Sequence, residues 1–220
     1  ITGSNTTSSH PLIASRIMKA KAKGAKIIVV DPRKTHIASL ADIYVAQNLG
    51  SDVAWINGLM RIILQEGWEN ADFIKERTEG FEELKEAVEE YTPEKVAEIT
   101  GIPPETLKEI AKIYATSEKS SIVYCMGITQ HATGTDNVKS LANLAMLTGQ
   151  IGRPSTGVNP LRGQNNVQGS TDLAAIPNVY PGYQPVTDDT IREKFEKAWG
   201  VPLSPDPGLT VVEMINAVEE

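Results

Sequence analysis

The chain reads as an α/β protein, a Rossmann-like parallel sheet with flanking helices followed by the start of a second α/β domain. Three features predict this. Short apolar strands alternate with amphipathic helices, the pattern whose natural product is a parallel sheet. The strands end on small or polar residues, as at Gly3-Ser4-Asn5, Asp31-Pro32-Arg33 and Cys125-Met126-Gly127. After Gly149 the composition turns to Gly, Pro, Arg and Asn, and what lies beyond is too sparse for a core of its own. A length of 220 residues with 40% hydrophobic and 5% aromatic side chains suffices for an ordinary core and rules out a disordered or collagenous chain.

The opening Ile1-Thr2-Gly3 reads as the last residues of a strand, with no initiator Met and no signal peptide, so the chain is taken as an internal fragment whose targeting signals would lie elsewhere. His10-Pro11 starts a helix with Leu12, Ile13, Ile17 and Met18 as its inward stripe, ended by Gly24. A strand follows over residues 26–30, and a second over 42–46. Gly50-Ser51-Asp52 then opens a helix carrying Val53, Ile56, Met60, Ile63 and Leu64 on one side, with Ser51 or Asp52 as its cap. Residues 70–115 are helical and charged, with stripes at Phe81, Leu84, Val88 and at Leu107, Ile110, Ala111, Tyr114, and with breaks at Thr92-Pro93 and Pro103-Pro104. The acidic run from Glu82 to Glu90 is a solvated helix face. A strand at 121–125 and a helix at 136–148 complete the alternation. Residues 149–169 read as a loop held by something else. Beyond it come a Pro/Tyr-rich segment, a helix with Ile191, Phe195 and Trp199 on one face, and a last helix. That helix is opened by a Thr210/Glu213 capping box, with Val211, Ile215 and Val218 inward. The predicted domains are residues 1–164 and 165–220.

Charge and composition exclude several partners. The 21 Lys+Arg against 28 Asp+Glu give a net charge of −7, with no basic block interleaved with aromatics, so no nucleic acid is expected. No apolar run approaches a membrane span, and no membrane contact is expected. A single cysteine, Cys125, permits no internal disulfide and no Cys cluster for zinc or an iron–sulfur centre. As a lone thiol at a strand end it reads as a small buried residue rather than a nucleophile. His10, His36 and His131 share no metal spacing, so no metal ligand is assigned in this chain.

Four segments carry the hydrogen-bonding chemistry. In a doubly wound sheet, the first strand-to-helix turn grips a phosphate and an acid at the next strand end grips a sugar or base. Gly3-Ser4-Asn5 and Asp31 occupy those two places, against the simpler reading of a capped turn. The fingerprint G-x-G-x-x-G is absent, which disfavours an NAD-dependent dehydrogenase and leaves another nucleotide-bearing cofactor open. Asp31 could accept from a sugar hydroxyl or from the N1–H and amine edge of guanine, and Arg33 could pair with a phosphate. A plain Asp–Arg surface turn is the alternative. Gly127 would let backbone approach a ligand, and Gln130 offers both donor and acceptor. The densest set is Arg162-Gly163-Gln164-Asn165-Asn166-Val167-Gln168-Gly169, where one guanidinium stands among amides and suits a small carboxylate bidentately.

That last segment, preceded by Ala145-Met146-Leu147-Thr148-Gly149 and Gly157-Val158-Asn159-Pro160, closely resembles the catalytic α subunit of molybdenum- or tungsten-dependent formate dehydrogenases. The resemblance spans nearly the whole chain, through Ser9-His10-Pro11, Asp31-Pro32-Arg33-Lys34, Arg77-Thr78-Glu79-Gly80-Phe81 and Tyr180-Pro181-Gly182-Tyr183. Related motifs run through the molybdopterin oxidoreductases, but nitrate reductases typically lack an Arg matching Arg162, so the Arg favours formate over nitrate.

The resemblance implies a bis(molybdopterin guanine dinucleotide) cofactor holding Mo or W between two Rossmann-like domains, near a 4Fe-4S cluster not ligated by this fragment. By position, Asn5, Asp31, Arg33, Gly50 and Asp52 would hold one guanine dinucleotide. Met126 and Gln130 would approach the pterin or metal. Arg162 would bind formate, with Gly163 and Gln164 at the Arg and pterin. The implied reaction oxidises formate to CO2, its two electrons passing through the Mo/W centre to the cluster. The implied partners are the remainder of the α subunit and an electron-transfer iron–sulfur subunit or acceptor, in the cytoplasm. The fragment alone would be inactive, lacking half of the cofactor envelope. A non-catalytic carrier or chaperone of the pterin dinucleotide is the competing class, but it would have no use for the Arg162 loop.

Overall fold

The computed structural model describes the backbone of residues 1–219 and the side chains of residues 1–218. Its contacts divide the chain into two compact units, Ile1–Leu161 and Arg162–Glu220. Arg162, Gly163 and Gln164, grouped by sequence with the first domain, belong to the second unit.

In the first unit, α1 (Thr6–Ser9) and α2 (Pro11–Ala22) lead to β1 (Ile28–Val30), α3 (His36–Ser39) and β2 (Ile43–Val45). The long α4 (Asp52–Glu66) is followed by α5 (Ala71–Arg77), α6 (Phe81–Glu89), α7 (Pro93–Thr100) and α8 (Pro104–Thr116). Then come β3 (Ser121–Tyr124), α9 (Met126–Thr129), α10 (Gly134–Leu147) and β4 (Gly157–Pro160). β1 pairs with β2 and β3 with β4, both parallel. Thr2 joins the two halves, forming parallel bridges to Val30 on one side and Tyr124 on the other. The lateral order is therefore β2, β1, the Ile1–Thr2 segment, β3, β4. The chain moves outward from the centre in one direction through β1 and β2, then returns to build β3 and β4 on the other side. The centre is thus a topological switch point, with the crevice at the carboxyl ends of the strands.

Hydrophobic burial holds this arrangement. α4 has apolar residues on most of its circumference and buries Trp55, Ile56, Leu59, Met60, Ile62 and Ile63 among Val96, Leu107, Ile110, Leu141 and Leu144. Gly58 lets this helix pass close to α7, since a Cβ there would stand 2.7 Å from a Val96 methyl. A smaller cluster of Ile27, Val29, Ile37 and Ala38 lies with Ile1, Ile17 and Met18. Two expectations change here. Leu12, read as part of the inward stripe of α2, is 80% exposed, and only Ala14 of that helix is buried. The 149–169 stretch is not an uninterrupted loop, because it contains β4, an edge strand that satisfies its backbone on β3 despite carrying one apolar side chain.

The buried α-amine of Ile1 donates to the Ile28 carbonyl at 2.8 Å. Burial lowers its pKa to about 6, against a smaller upward pull from Asp31. Between about 6 and the ordinary value of 8 the unfolded chain binds more protons than the folded one, so stability rises with pH through that window. For a chain that starts at Ile1, we expect about 2 kcal/mol more stability at pH 8 than at pH 6. Urea unfolding at the two pH values checks this, and acetylation of Ile1 is expected to abolish the contribution.

The second unit contains α11 (Val167–Asp172), an antiparallel hairpin of β5 (Val179–Tyr180) and β6 (Gln184–Pro185), α12 (Asp189–Trp199), α13 (Val211–Asn216) and a terminal 3-10 turn. Tyr180, Val186 and Phe195 form its small core, with the Tyr180 and Phe195 rings stacked at 4.8 Å. The Asp188 carboxylate caps α12 by accepting from the Ile191 N–H. The Thr210/Glu213 capping box opens α13 as the spacing predicts. Its apolar stripe is another matter: Val211, Ile215 and Val218 are exposed, because nothing among the described residues of this unit covers them. Among the described residues no helix is long and apolar enough to cross a membrane.

Candidate nucleotide-cofactor site

The carboxyl rim of the first unit's sheet collects the polar groups. At the switch point, Gly3 adopts φ +56, a left-handed conformation open to glycine. Its carbonyl accepts from the Gly127 N–H at 3.0 Å. A Cβ on Gly127 would stand 2.5 Å from the Gly3 Cα. Gly127 therefore lets two backbone segments of this chain meet, rather than admitting a ligand as the sequence reading had it. Ser4 is buried with its hydroxyl 2.9 Å from that of Thr6. Asn5 follows, half-buried at the N-cap of α1 with its side chain making no cap hydrogen bond.

Asp31, at the end of β1, is buried, and its Oδ1 accepts from the Arg33 backbone N–H at 2.9 Å. Arg33 itself is exposed. After β2, the buried Gln47 donates through Nε2 to Asp52 Oδ1 at 3.3 Å, while Gln47 Oε1 has no hydrogen-bond partner. Asp52 is the first residue of α4 and is buried, with its carboxylate next to the positive end of the helix. Ser51 does not cap with its side chain, since its hydroxyl donates to the Asn48 carbonyl instead. Gly50 turns the loop at φ +74 in open space.

His131 connects this group to the loop after β3. Its Nε2 lies 2.8 Å from the Gly127 carbonyl and 3.9 Å from Asp52 Oδ2. The carbonyl contact fixes the proton on Nε2, so the ring is a donor there. Nearby, Asn137 is buried and donates to the Ile128 carbonyl at 2.9 Å, tying α9 to α10. Met126 and Gln130, at the two ends of α9, are both exposed. Cys125 is half-buried and its thiol donates to the Leu161 carbonyl at 3.0 Å, which accounts for its polar end without a chemical role.

The rim thus brings Asp31, Gln47, Asp52 and His131 to the ends of neighbouring strands, with Asn5, Arg33, Gly50, Met126 and Gln130 on the same edge. Arg162, Gly163 and Gln164 stand in the second unit, exposed on the turn ahead of α11. Gln47 and His131 escape sequence reading because their partners come from other elements. Among the described residues no cluster of three His, Cys, Asp or Glu could hold a metal ion.

The chain matches the molybdopterin oxidoreductase family over residues 1–220. It is 55% identical over 98% of its length to the F420-dependent formate dehydrogenase subunit alpha of Methanocaldococcus jannaschii, covering 32% of that protein. It is 49% identical over 90% of its length to formate dehydrogenase H of Escherichia coli, covering 28% of it. The chain therefore spans about a third of the length of the curated relatives it matches. Among solved structures, acetylene hydratase from Pelobacter acetylenicus superposes with a TM-score of 0.66 at 30% identity, over 70% of this chain and 21% of that one. The switch-point sheet, its polar carboxyl rim and the whole-length family match together make this chain a member of the molybdopterin oxidoreductase family.

Proposed function

We propose that the chain holds one guanine dinucleotide arm of a molybdopterin cofactor and orients formate in the catalytic subunit of a formate dehydrogenase. The observation that carries this reading is the pair of buried carboxylates on the carboxyl rim, Asp31 directly after β1 and Asp52 at the start of α4, beyond the adjoining parallel strand β2. Buried carboxylates require donors. Asp31 takes one from its own turn and Asp52 one from Gln47, which leaves acceptor capacity on both. The guanine edge supplies an N1–H and an exocyclic amine, two parallel donors matched to a carboxylate, whereas the adenine edge does not. Arg33 beside them suits a phosphate, and the Asn5 amide and the Gly50 turn lie on the same rim. This donor set fits the nucleotide end of the cofactor, while Met126 and Gln130 would approach its pterin end.

When bound, molybdopterin with Mo or W supplies the two-electron acceptor for formate oxidation. The second dinucleotide arm, the 4Fe-4S cluster that carries the electrons onward and the subunit that receives them belong to the rest of the assembly. Arg162 contributes orientation: its planar guanidinium pairs with both oxygens of formate through parallel N–H···O bonds. The Gln164 amide, one residue beyond Gly163, supports the guanidinium or the pterin. The names of relatives at about half identity support formate as the substrate.

The dinucleotide assignment is tested by Asp31→Ala in the full-length subunit. Loss of a charge-assisted pair should reduce retained pterin and metal about tenfold or more. Metal analysis and pterin fluorescence after oxidation read this, and wild-type content in a folded variant contradicts the assignment.

A further inference from the structure

α11 buries none of its six residues. A helix that short is not stable by itself, so contacts other than apolar packing must hold it in place. Arg162, Gly163 and Gln164 stand on the turn that leads into it, within the same compact unit. That turn is built onto the helix. Asn166, at φ +48, is the N-cap of α11, and its carbonyl accepts from the Ser170 N–H at 3.0 Å. Its side chain lies over Gly169, where a Cβ would collide with the amide. Wherever α11 sits, the Arg162 turn sits with it.

The holding contacts come from the tip of the β5–β6 hairpin, residues 181–183. The Gly182 N–H donates at 2.8 Å to the carbonyl of Asp172, the last residue of α11. The Tyr183 hydroxyl donates to Thr171 Oγ1 at 3.1 Å, and the Thr171 hydroxyl in turn donates to the Gln168 carbonyl at 2.8 Å. The tip is itself fixed to the core of the unit. Tyr180 stacks on Phe195, and the Gln184 amide donates to the Pro181 carbonyl at 2.7 Å while accepting from Lys194 of α12 at 2.9 Å. Tyr183 holds φ +58, a left-handed conformation that suits Gly or Asn and disfavours a bulky aromatic residue. The turn alone would be better served by Asn, so the ring is accounted for by what its hydroxyl reaches.

We propose that Tyr183 is a positioning residue for formate oxidation: through Thr171 it pins α11 to the hairpin and so fixes the plane from which the Arg162 guanidinium meets the substrate. This rests on the reading that Arg162 binds formate. The backbone contact at Gly182 is one point about which α11 can pivot, and the Tyr183 hydroxyl supplies a second. A carboxylate held by two parallel N–H donors tolerates little rotation of the guanidinium, so a brace against pivoting acts on orientation more than on capture.

The test is formate kinetics of the full-length subunit carrying Tyr183→Phe, Thr171→Val and Arg162→Lys, singly and combined, with metal and pterin content measured in each. Tyr183→Phe and Thr171→Val should each lower kcat about three- to tenfold, as for the loss of one neutral hydrogen bond, with KM changed less than about twofold and cofactor content unchanged. Thr171→Ser keeps the acceptor and should restore the wild-type kcat. Because Tyr183 acts through the guanidinium, adding Tyr183→Phe to Arg162→Lys should lower kcat no further. Wild-type kcat in either single variant, beside an impaired Arg162→Lys, overturns the brace and leaves the Arg162 reading standing. An undiminished further loss in the Arg162→Lys background overturns it as well, as does a loss that tracks falling metal and pterin, the mark of a purely structural contact. Unchanged kinetics in Arg162→Lys overturn the formate reading and the brace with it.

Discussion

Arg162→Lys in the full-length subunit is expected to lower kcat/KM for formate about ten- to a hundredfold, with the fold and cofactor content unchanged. A guanidinium offers two N–H donors in a fixed plane, matched to the two oxygens of a carboxylate. An ammonium keeps the charge but not the fork, so formate is held through one contact and its C–H bond is no longer aimed. Losing one charge-assisted hydrogen bond costs about 1.5–3 kcal/mol, which sets the tenfold to hundredfold range. Steady-state kinetics read the loss, and a fall in kcat beyond any rise in KM assigns Arg162 to orientation rather than capture alone. Unchanged formate kinetics would remove Arg162 from the site.

Gly127→Ala is expected to cost about 2–4 kcal/mol of stability and to lower the melting temperature by roughly 5–15 °C. The new Cβ would lie 2.5 Å from the Gly3 Cα and 2.8 Å from the Gly3 oxygen, and both are backbone atoms that cannot turn aside. The Gly127 N–H to Gly3 carbonyl bond would break with it. Gly50→Ala is the control, since its φ of +74 carries strain but its surroundings are open, so about 1 kcal/mol is expected there. Thermal unfolding of both variants separates the cases. A Gly127→Ala protein as stable as Gly50→Ala would mean that the switch point tolerates separation of its two loops.

The strands with apolar runs, such as the one ending at Val30, were legible because burial on both faces leaves a continuous hydrophobic signature. β4 was not, since Gly157-Val158-Asn159-Pro160 carries one apolar residue and is defined by pairing with β3 rather than by its own pattern. The stripe Val211, Ile215, Val218 illustrates the converse: periodicity announces a face to be buried, but not what buries it. At the site, Asp31 stood out because an acid at a strand end in a doubly wound sheet follows a positional rule, whereas Asp52, which by its position reads as a helix cap, entered only through the family resemblance. Gln47 and His131 follow none. The histidine touches Asp52 and Gly127, groups brought together by α4 and the loop after β3, and only the folded sheet makes them neighbours.

The nucleotide content of the purified full-length protein tests the central claim most directly. On the proposed reading, in which the carboxylates of Asp31 and Asp52 select the guanine edge and the cofactor is the bis form with two arms, acid hydrolysis followed by chromatography should release GMP, about two per Mo or W atom. Release of AMP or CMP in its place, or of no nucleotide from a protein that still oxidises formate, would contradict it.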